Sequence, residues 1–161
     1  MTTLQRCLEF LDRSQIRYAH TGHRVAYTAL EVAAAEHVPA AKMAKTVVYF
    51  DDQAGYGMAV LPADCLVDLD ELRAVTGSQH MRLATEGEIG RLFRDSELGA
   101  MPPLGNLFDM PVYVDQALTA NPGLAFNAGT HRDVIHMSFA DFRRAVQPKI
   151  VTFARKGLSV H

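Results

Sequence analysis

Four helix-start signals divide this chain into alternating helical and extended segments. At each, a Ser, Thr or Asp is followed three residues later by Glu or Asp, just before a segment of helical character. The first residues of these signals are Thr28, Asp68, Thr85 and Ser138. A side-chain oxygen at this position accepts hydrogen bonds from free amides of the first helical turn, so each signal predicts where a helix begins.

Short apolar segments lie between the predicted helices and are typical of strands. Residues 46–50 and 57–62 are joined by the polar turn DDQAGY, which predicts a hairpin. Residues 110–115 predict a buried strand, and the segments GLAFNAG and DVIHMS predict a second hairpin. Hairpins together with helical crossovers indicate an α/β fold with a mixed sheet.

Length and composition predict one globular domain over residues 1–161. The chain is 48% hydrophobic and 21% charged, which excludes a disordered or fibrous protein. No apolar run approaches the roughly 20 residues that a membrane span needs. The opening segment MTTLQRCLEFLDRS lacks an uninterrupted apolar stretch, so we expect no secretory signal and a cytoplasmic location. Cys7 and Cys65 show no CxxC spacing and are expected to be small buried residues.

The charge pattern limits how the chain could bind nucleic acid. The formal net charge is −2, so any contact with tRNA or DNA must come from a local basic patch. The basic residues near the carboxyl end are Arg143, Arg144, Lys149, Arg155 and Lys156. They indicate either such a patch or a solvated helix face followed by a frayed tail.

The sequence offers no familiar metal site or covalent nucleophile. His131 and His136 flank a predicted strand at a spacing of five, which places their side chains on opposite faces. The HExxH and GxSxG motifs, the P-loop and the dinucleotide fingerprint are all absent. An enzyme with this sequence is therefore expected to use neither a metal nor a side-chain nucleophile.

Lys45 and the segment ELGAMPPLG (residues 97–105) each allow a structural and a functional interpretation. Lys45 precedes an apolar strand, where it could end a helix or could hold a carbonyl, phosphate or ribose oxygen. The 97–105 segment could be a rigid surface turn. Alternatively, Gly99 and Ala100 could expose backbone N–H donors whose direction Pro102 and Pro103 fix.

Three segments in this order resemble the YbaK / prolyl-tRNA-synthetase-associated editing-domain family, whose members hydrolyse wrongly charged aminoacyl-tRNA. They are AKTVVYF with GMAVLP, then LGAMPPLG running into MPVYVD, then FNAGTHRDVIHMS. The resemblance extends over about residues 16–146. It implies a compact α/β domain with a curved, barrel-like mixed sheet flanked by helices, and no cofactor.

The resemblance also implies a set of site residues. The family lysine falls on Lys45, its GxxxP loop on residues 99–103 and its late glycine on Gly129. Lys45, Gly99 and Ala100 are the implied catalytic residues. The implied substrate-binding residues are Thr46, Met101, Pro102, Pro103, Asn127, Gly129, His131 and His23. For His23 and His131, the alternative is a surface histidine without a role in the site.

The residues that differ from the family pattern leave the amino acid open. The alanine-specific branch commonly has asparagine where this chain has Thr46. The cysteine-specific branch has serine near Asn127, tyrosine near Thr21 and aspartate near Val134. A further branch of the family that accepts small amino acids is therefore expected.

The implied activity is hydrolysis of a mischarged aminoacyl-tRNA in trans. The aminoacyl ester is already activated, so a water, or a hydroxyl or thiol of the substrate, can attack once the carbonyl is held and polarised. We expect affinity to come from the aminoacylated 3′ end of tRNA, or with help from a synthetase or an elongation factor. Two alternatives remain: a non-catalytic module that binds an amino acid, a nucleotide or a tRNA end, and a hydrolase of another small acyl ester.

Overall fold

Helices and strands alternate along the chain. The computed structural model describes residues 1–24 and 26–157. Its helices are α1 (Thr3–Arg13), α2 (Ala29–Ala35), α3 (Leu69–Thr76), α4 (Glu86–Leu92) and α5 (Phe139–Val146). Its strands are β1 (Tyr18–Gly22), β2 (Ala44–Asp51), β3 (Gly55–Pro62), β4 (Cys65–Val67), β5 (Met81–Leu83), β6 (Val112–Asp115), β7 (Gly123–Asn127), β8 (Asp133–Ser138), β9 (Lys149–Val151) and β10 (Ala154–Lys156).

The four predicted helix starts are confirmed. In each, the capping side chain accepts a hydrogen bond from the backbone amide three residues further on. The Thr85 cap is reciprocal, because the Glu88 side chain also accepts from the Thr85 amide. Helix α3 ends at Gly77, whose φ of 73° is the left-handed conformation that glycine adopts without strain.

The predicted α/β class with mixed sheet pairing is also confirmed. Strand β2 pairs antiparallel with β3, and β3 pairs parallel with β6. The described strands form three sheets, with orders β5-β2-β3-β6-β9, β1-β8-β7 and β10-β4. A single bridge between Met43 and Ala125 joins the first two sheets just before β2 begins. Both sheets therefore fix the position of the start of β2.

The carboxyl end is not a frayed tail as far as it is described. Strand β9 extends the five-stranded sheet beside β6, and β10 pairs with β4. Between them, the side chain of Phe153 is 1% exposed and packs in an apolar cluster with Val47 and Leu61. The alternative of a frayed tail is therefore wrong for these residues, and it arose because strands of three residues carry almost no periodic signal. Residues 158–161 of the predicted tail lie outside the described part.

The main core lies between α1, α5 and the sheets. Cys7 and Leu11 of α1 are fully buried, and Phe126 and Phe142 pack in the same cluster. Burying one such apolar side chain stabilises the fold by about 1.5–3 kcal/mol. Leu104 joins this cluster, so the core anchors one end of the 97–105 segment. No helix in the described ranges is both long and apolar enough to cross a membrane.

Candidate active site

A cavity of about 350 Å³ lies at the start of β2 and brings four of the predicted site residues together. These are Lys45, Thr46, Gly99 and Met101. Segment 27–29, the end of β5, helix α4 and the 97–105 segment complete its wall. A second cavity of about 370 Å³ near Tyr113 and Lys149 contains none of the predicted residues.

Lys45 lies inside β2, opposite Leu61 of β3, and does not end a helix. Its side chain is 7% exposed, and its Nζ has no hydrogen-bond partner among the described residues. Burial lowers the pKa of the Lys45 ammonium from 10.5 to about 8, although Coulombic interactions with Cys65 and Asp64 oppose this shift. At pH 7 the group is still mostly protonated. A buried cation with free donors is suited to binding an oxygen of a ligand.

Thr46 also lines this cavity. Its Oγ1 is buried and has no hydrogen-bond partner among the described residues. Much of the remaining wall is apolar, with Val48, Ala84 and Ile89 close by. A buried hydroxyl without a partner is unfavourable, so a ligand group that pairs with Thr46 would be bound selectively.

The 97–105 segment is a turn followed by a buried stretch, and the prediction of a surface turn is wrong for most of it. The Ala100 amide donates to the Glu97 carbonyl at 3.0 Å, and Gly99 has a φ of 85°. This is the geometry of a type II turn, which favours glycine at its third position. Residues 100–105 are all buried. Pro102 and Pro103 therefore lie behind the cavity wall and do not line it.

The turn changes which backbone amides can act as donors. The Ala100 N–H is occupied by the Glu97 carbonyl, so the expected free donor at Ala100 is not observed. In contrast, the amides of Gly99 and Met101 donate to no other residue in the described ranges. Both residues line the cavity. They replace Ala100 as the candidates for backbone stabilisation of a substrate oxygen.

His131 forms two hydrogen bonds with this turn. Its Nε2–H donates to the Leu98 carbonyl at 2.6 Å, and its backbone amide donates to the Glu97 carboxylate at 2.6 Å. Because the peptide is planar and trans, fixing the Leu98 carbonyl also fixes the Gly99 N–H in the opposite direction. The imidazole is 8% exposed, so the alternative of a surface hairpin-tip histidine is wrong.

Gly129 joins the late hairpin to the same turn. Its N–H donates to the Ala100 carbonyl and its carbonyl accepts from the Glu97 amide, both at 2.8 Å. Its φ is 95°, and an added Cβ would lie 2.7 Å from Thr3 Cβ. Glycine is therefore required there for two reasons. Asn127, at the end of β7, is buried with its Oδ1 unpartnered, and neither residue lines the cavity.

His23 belongs to a separate polar cluster. Its side chain is 6% exposed, and its Nε2 lies 3.9 Å from a Glu36 carboxylate oxygen. The other Glu36 oxygen lies 3.0 Å from His136 Nε2. His23 does not line the cavity, so the structure does not bring it together with Lys45. The described residues contain no cluster of His, Cys, Asp or Glu arranged to hold a metal.

Five buried side-chain polar atoms in the described residues lack a hydrogen-bond partner, and all five belong to predicted site residues. They are His23 Nε2, Lys45 Nζ, Thr46 Oγ1, Asn127 Oδ1 and His131 Nδ1. Buried polar groups are nearly always paired in folded proteins. Two of the five atoms, Lys45 Nζ and Thr46 Oγ1, belong to residues that line the cavity, and these two point to ligand binding there. Tyr27 and Ile89 also line the cavity, but they belong to no motif that the sequence shows. Leu98 lines it too and lies in the 97–105 segment, although it was not predicted as a site residue.

The predicted basic patch at the carboxyl end is largely engaged in local contacts. Lys156 pairs with Asp64 at 2.6 Å, and Arg144 pairs with Asp141 at 3.1 Å. The Lys149 ammonium lies 5.8 Å from the centre of the Tyr113 ring. None of these basic residues lines the cavity beside Lys45.

Comparison with known proteins identifies the class. Residues 23–145 match the family model for the aminoacyl-tRNA editing domain, and the chain belongs to this family. The resemblance inferred from the sequence is thereby confirmed. Among curated relatives, the Multifunctional Ser/Thr-tRNA deacylase ProXp-y of Escherichia coli (strain K12) is 31% identical over 99 residues. That match spans 61% of this chain and 59% of the relative.

Solved structures support the same fold. The crystal structure of a hypothetical protein matches with a TM-score of 0.85 at 18% identity, covering 93% of this chain and 99% of that one. A proposed trans-editing enzyme for prolyl-tRNA synthetase matches with a TM-score of 0.82 at 19% identity, covering 96% and 98%. At these identities, the likeness concerns the fold alone.

Proposed function

We propose that this protein is an aminoacyl-tRNA deacylase that hydrolyses the ester of a mischarged tRNA carrying a small amino acid. The observation that carries the proposal concerns Lys45, which lines the cavity together with Gly99 and Thr46 and whose Nζ is buried without a hydrogen-bond partner among the described residues. Membership of the editing-domain family supports the same conclusion.

Lys45 holds the acceptor end of the substrate. Its three N–H donors have no partner among the described residues, so they are free for a ribose, phosphate or carbonyl oxygen of the terminal adenosine ester. The ammonium form is the form that donates, and it predominates below the lowered pKa of about 8. Binding there fixes the ester relative to the 97–100 turn.

The 97–100 turn stabilises the charge that develops during hydrolysis. Water adds to the ester carbonyl carbon, the carbon–oxygen bond to the ribose then breaks, and the proton lost by water passes to the ribose oxygen. Negative charge develops on the carbonyl oxygen in between. The Gly99 and Met101 amides are the backbone donors available to it, and His131 holds the Gly99 peptide in place.

The amino acids best suited to this cavity are serine and threonine. The Thr46 hydroxyl is buried with no partner among the described residues, and Thr46, Val48 and Ala84 all line the cavity. A hydroxyl on a small amino acid side chain would supply the missing hydrogen bond. A site built for a hydroxyl rejects analogues that lack it far better than an apolar pocket rejects a methylene. The name of the Escherichia coli relative supports the same pair.

The test is a deacylation assay on tRNAs charged with alanine, serine, cysteine, threonine and proline. The wild type is compared with Lys45→Ala and with Lys42→Ala, a lysine three residues away that does not line the cavity. We expect seryl and threonyl esters to be cleaved, with a loss of roughly 10²–10³-fold in Lys45→Ala and none in Lys42→Ala. If no ester is cleaved faster than in buffer, the hydrolase proposal is wrong and the binding module is favoured.

A further inference from the structure

Tyr27 presents an exposed aromatic ring at the cavity beside Lys45. Its side chain is 69% exposed, and it is the one Phe or Tyr residue in the described part of the chain that is exposed. It lines the same cavity as Lys45 and Gly99. Leu98, which is 47% exposed, lines that cavity as well. An apolar surface of this kind at a binding site indicates contact with a ligand.

Two contacts restrain the position of the Tyr27 ring. It packs on the imidazole of His131, with ring centres 5.2 Å apart and planes tilted by 58°. The next residue, Thr28, caps α2 through the Glu31 amide, which fixes the backbone immediately after Tyr27. A supported and exposed ring loses little freedom when a flat group packs on it.

We propose that Tyr27 binds the terminal base of the tRNA 3′ end by stacking. This inference rests on the proposed function, because it takes the acyl ester in the cavity as the neighbour of that base. Aromatic side chains are a general means of holding unpaired bases, since every base has a flat π face. The role is one of substrate binding, and no chemical step depends on the Tyr27 hydroxyl.

The charges near Tyr27 favour a nucleotide as the occupant. Arg24 and Arg132 are both exposed, and neither forms an ion pair with any residue in ranges 1–24 and 26–157. Their backbones are adjacent, because the His23 amide donates to the Arg132 carbonyl at 3.0 Å. Arg24 lies three residues before Tyr27, and Arg132 follows His131, on which the Tyr27 ring packs. Exposed arginines close to an exposed aromatic residue suit the phosphates and base of a single-stranded end.

Two carboxylates lie in the same region. Glu86 lines the cavity. The Glu97 carboxylate already accepts the His131 amide at 2.6 Å. Neither carboxylate forms an ion pair with Arg24 or Arg132 within ranges 1–24 and 26–157. It follows that the 3′ end is bound here, and not at the predicted basic patch near the carboxyl end.

The experiment uses an uncharged acceptor-stem RNA that ends in CC-2-aminopurine. The fluorescence of 2-aminopurine falls when the base stacks, so binding and stacking are read together without any hydrolysis. We expect quenching with the wild type and with Tyr27→Phe, which keeps the ring. Tyr27→Leu keeps an apolar group against His131 without the aromatic face, and it should lose the quenching and bind roughly 5- to 150-fold more weakly.

Two controls complete the experiment. An RNA lacking its terminal nucleotide should bind equally well to the wild type and to Tyr27→Leu. Val75→Ala removes an exposed apolar side chain on α3 and should change nothing. Equal quenching by the wild type and Tyr27→Leu would overturn the inference. Because the RNA is uncharged, Tyr27-dependent quenching without deacylase activity would refute the proposed hydrolysis and leave this inference standing.

Discussion

The imidazole of His131 donates from Nε2 to the carbonyl oxygen of Leu98 at 2.6 Å, although the two residues are 33 positions apart. This bond links the late hairpin to the turn that lines the cavity. It sets the direction of the Gly99 amide, while the buried Nδ1 of His131 has no partner among the residues that the structure describes. His131 therefore acts as a positioning residue in the proposed site.

Removing His131 should reduce deacylase activity, because the 97–100 turn would lose the hydrogen bonds that position it. His131→Ala leaves the Leu98 carbonyl unpaired and takes away the support of Tyr27, which is expected to cost about 1–3 kcal/mol in transition-state stabilisation. The measurement is kcat and KM on the preferred aminoacyl-tRNA, and both should change. His20→Ala is the control, since His20 pairs with Asp133 at 2.7 Å and does not line the cavity. Equal effects of both variants would contradict the role of His131.

Gly99→Ala should impair both the turn and catalysis. A residue with a side chain at a φ of 85° is strained by about 1–2 kcal/mol, and the new Cβ would lie 3.4 Å from His131 Cε1. Gly55→Ala is a matched control, because Gly55 has a φ of 86° with no atom within 4 Å of an added Cβ. Urea unfolding should show similar losses for both variants. Only Gly99→Ala should lower kcat/KM.

The pH profile of the reaction should report the Lys45 ammonium. Burial lowers its pKa to about 8, and the protonated form is the one that donates to the substrate. Since kcat/KM reports ionisations of the free enzyme, it should fall as the pH rises through about 8. Rates are measured with the spontaneous hydrolysis of the ester subtracted at each pH. A value of kcat/KM that is constant from pH 7 to well above 8 would show that the positive charge of Lys45 does not contribute to the reaction.

Lys45→Met should make the protein more stable but inactive. The unfolded chain binds a proton at Lys45 up to about pH 10.5 and the folded chain only up to about pH 8, so folding is opposed below pH 8. The free energy of unfolding of the wild type should therefore rise as the pH increases from about 8 to about 10.5. Removing the buried charge should add on the order of 1–3 kcal/mol at pH 7 and much less at pH 10.5.

Urea unfolding at both pH values measures this effect. Lys42→Met serves as the control, because it also replaces a lysine by methionine, at a half-buried position at the end of a short 3₁₀ helix outside the cavity. A loss of stability in Lys45→Met at pH 7 would mean that the ammonium is paired in solution.

Thr46 should determine the preference for hydroxyl-bearing amino acids. Thr46→Val keeps the shape and removes the hydroxyl, so the ratio of kcat/KM for threonyl over alanyl ester should fall by roughly tenfold or more. Thr46→Ser keeps the hydroxyl and should preserve the ratio. An unchanged ratio in Thr46→Val would locate the selectivity elsewhere in the cavity.

Much of the fold could be predicted because its signals are local. Each helix cap depends on two residues that are three positions apart, and the β2–β3 hairpin depends on two strands joined by a short turn. The caps are at Thr28, Asp68, Thr85 and Ser138. The strands β4, β5, β9 and β10 were missed because each has three residues. Their pairing depends on distant partners, which a short segment does not encode by itself.

Some residues of the candidate site could likewise be predicted from the sequence, and others could not. Lys45, Thr46, Gly99 and Met101 could be named from the sequence, and the structure places them on one cavity. Pro102 and Pro103 were also named, but they are buried behind its wall, and His23 lies in another cluster. Tyr27 had no sequence signal, since a single exposed tyrosine before a helix cap resembles any surface residue.

The sequence by itself determined the helix starts, the β2–β3 hairpin, the lysine at the start of β2 and the glycine that the turn requires. These follow from spacing, capping chemistry and backbone conformation, which act over a few residues. Only the tertiary structure decided that the Lys45 ammonium is buried without a partner, that the Ala100 amide is already occupied and that His131 holds Leu98. Those features arise where distant segments pack together, and packing is set by the whole chain.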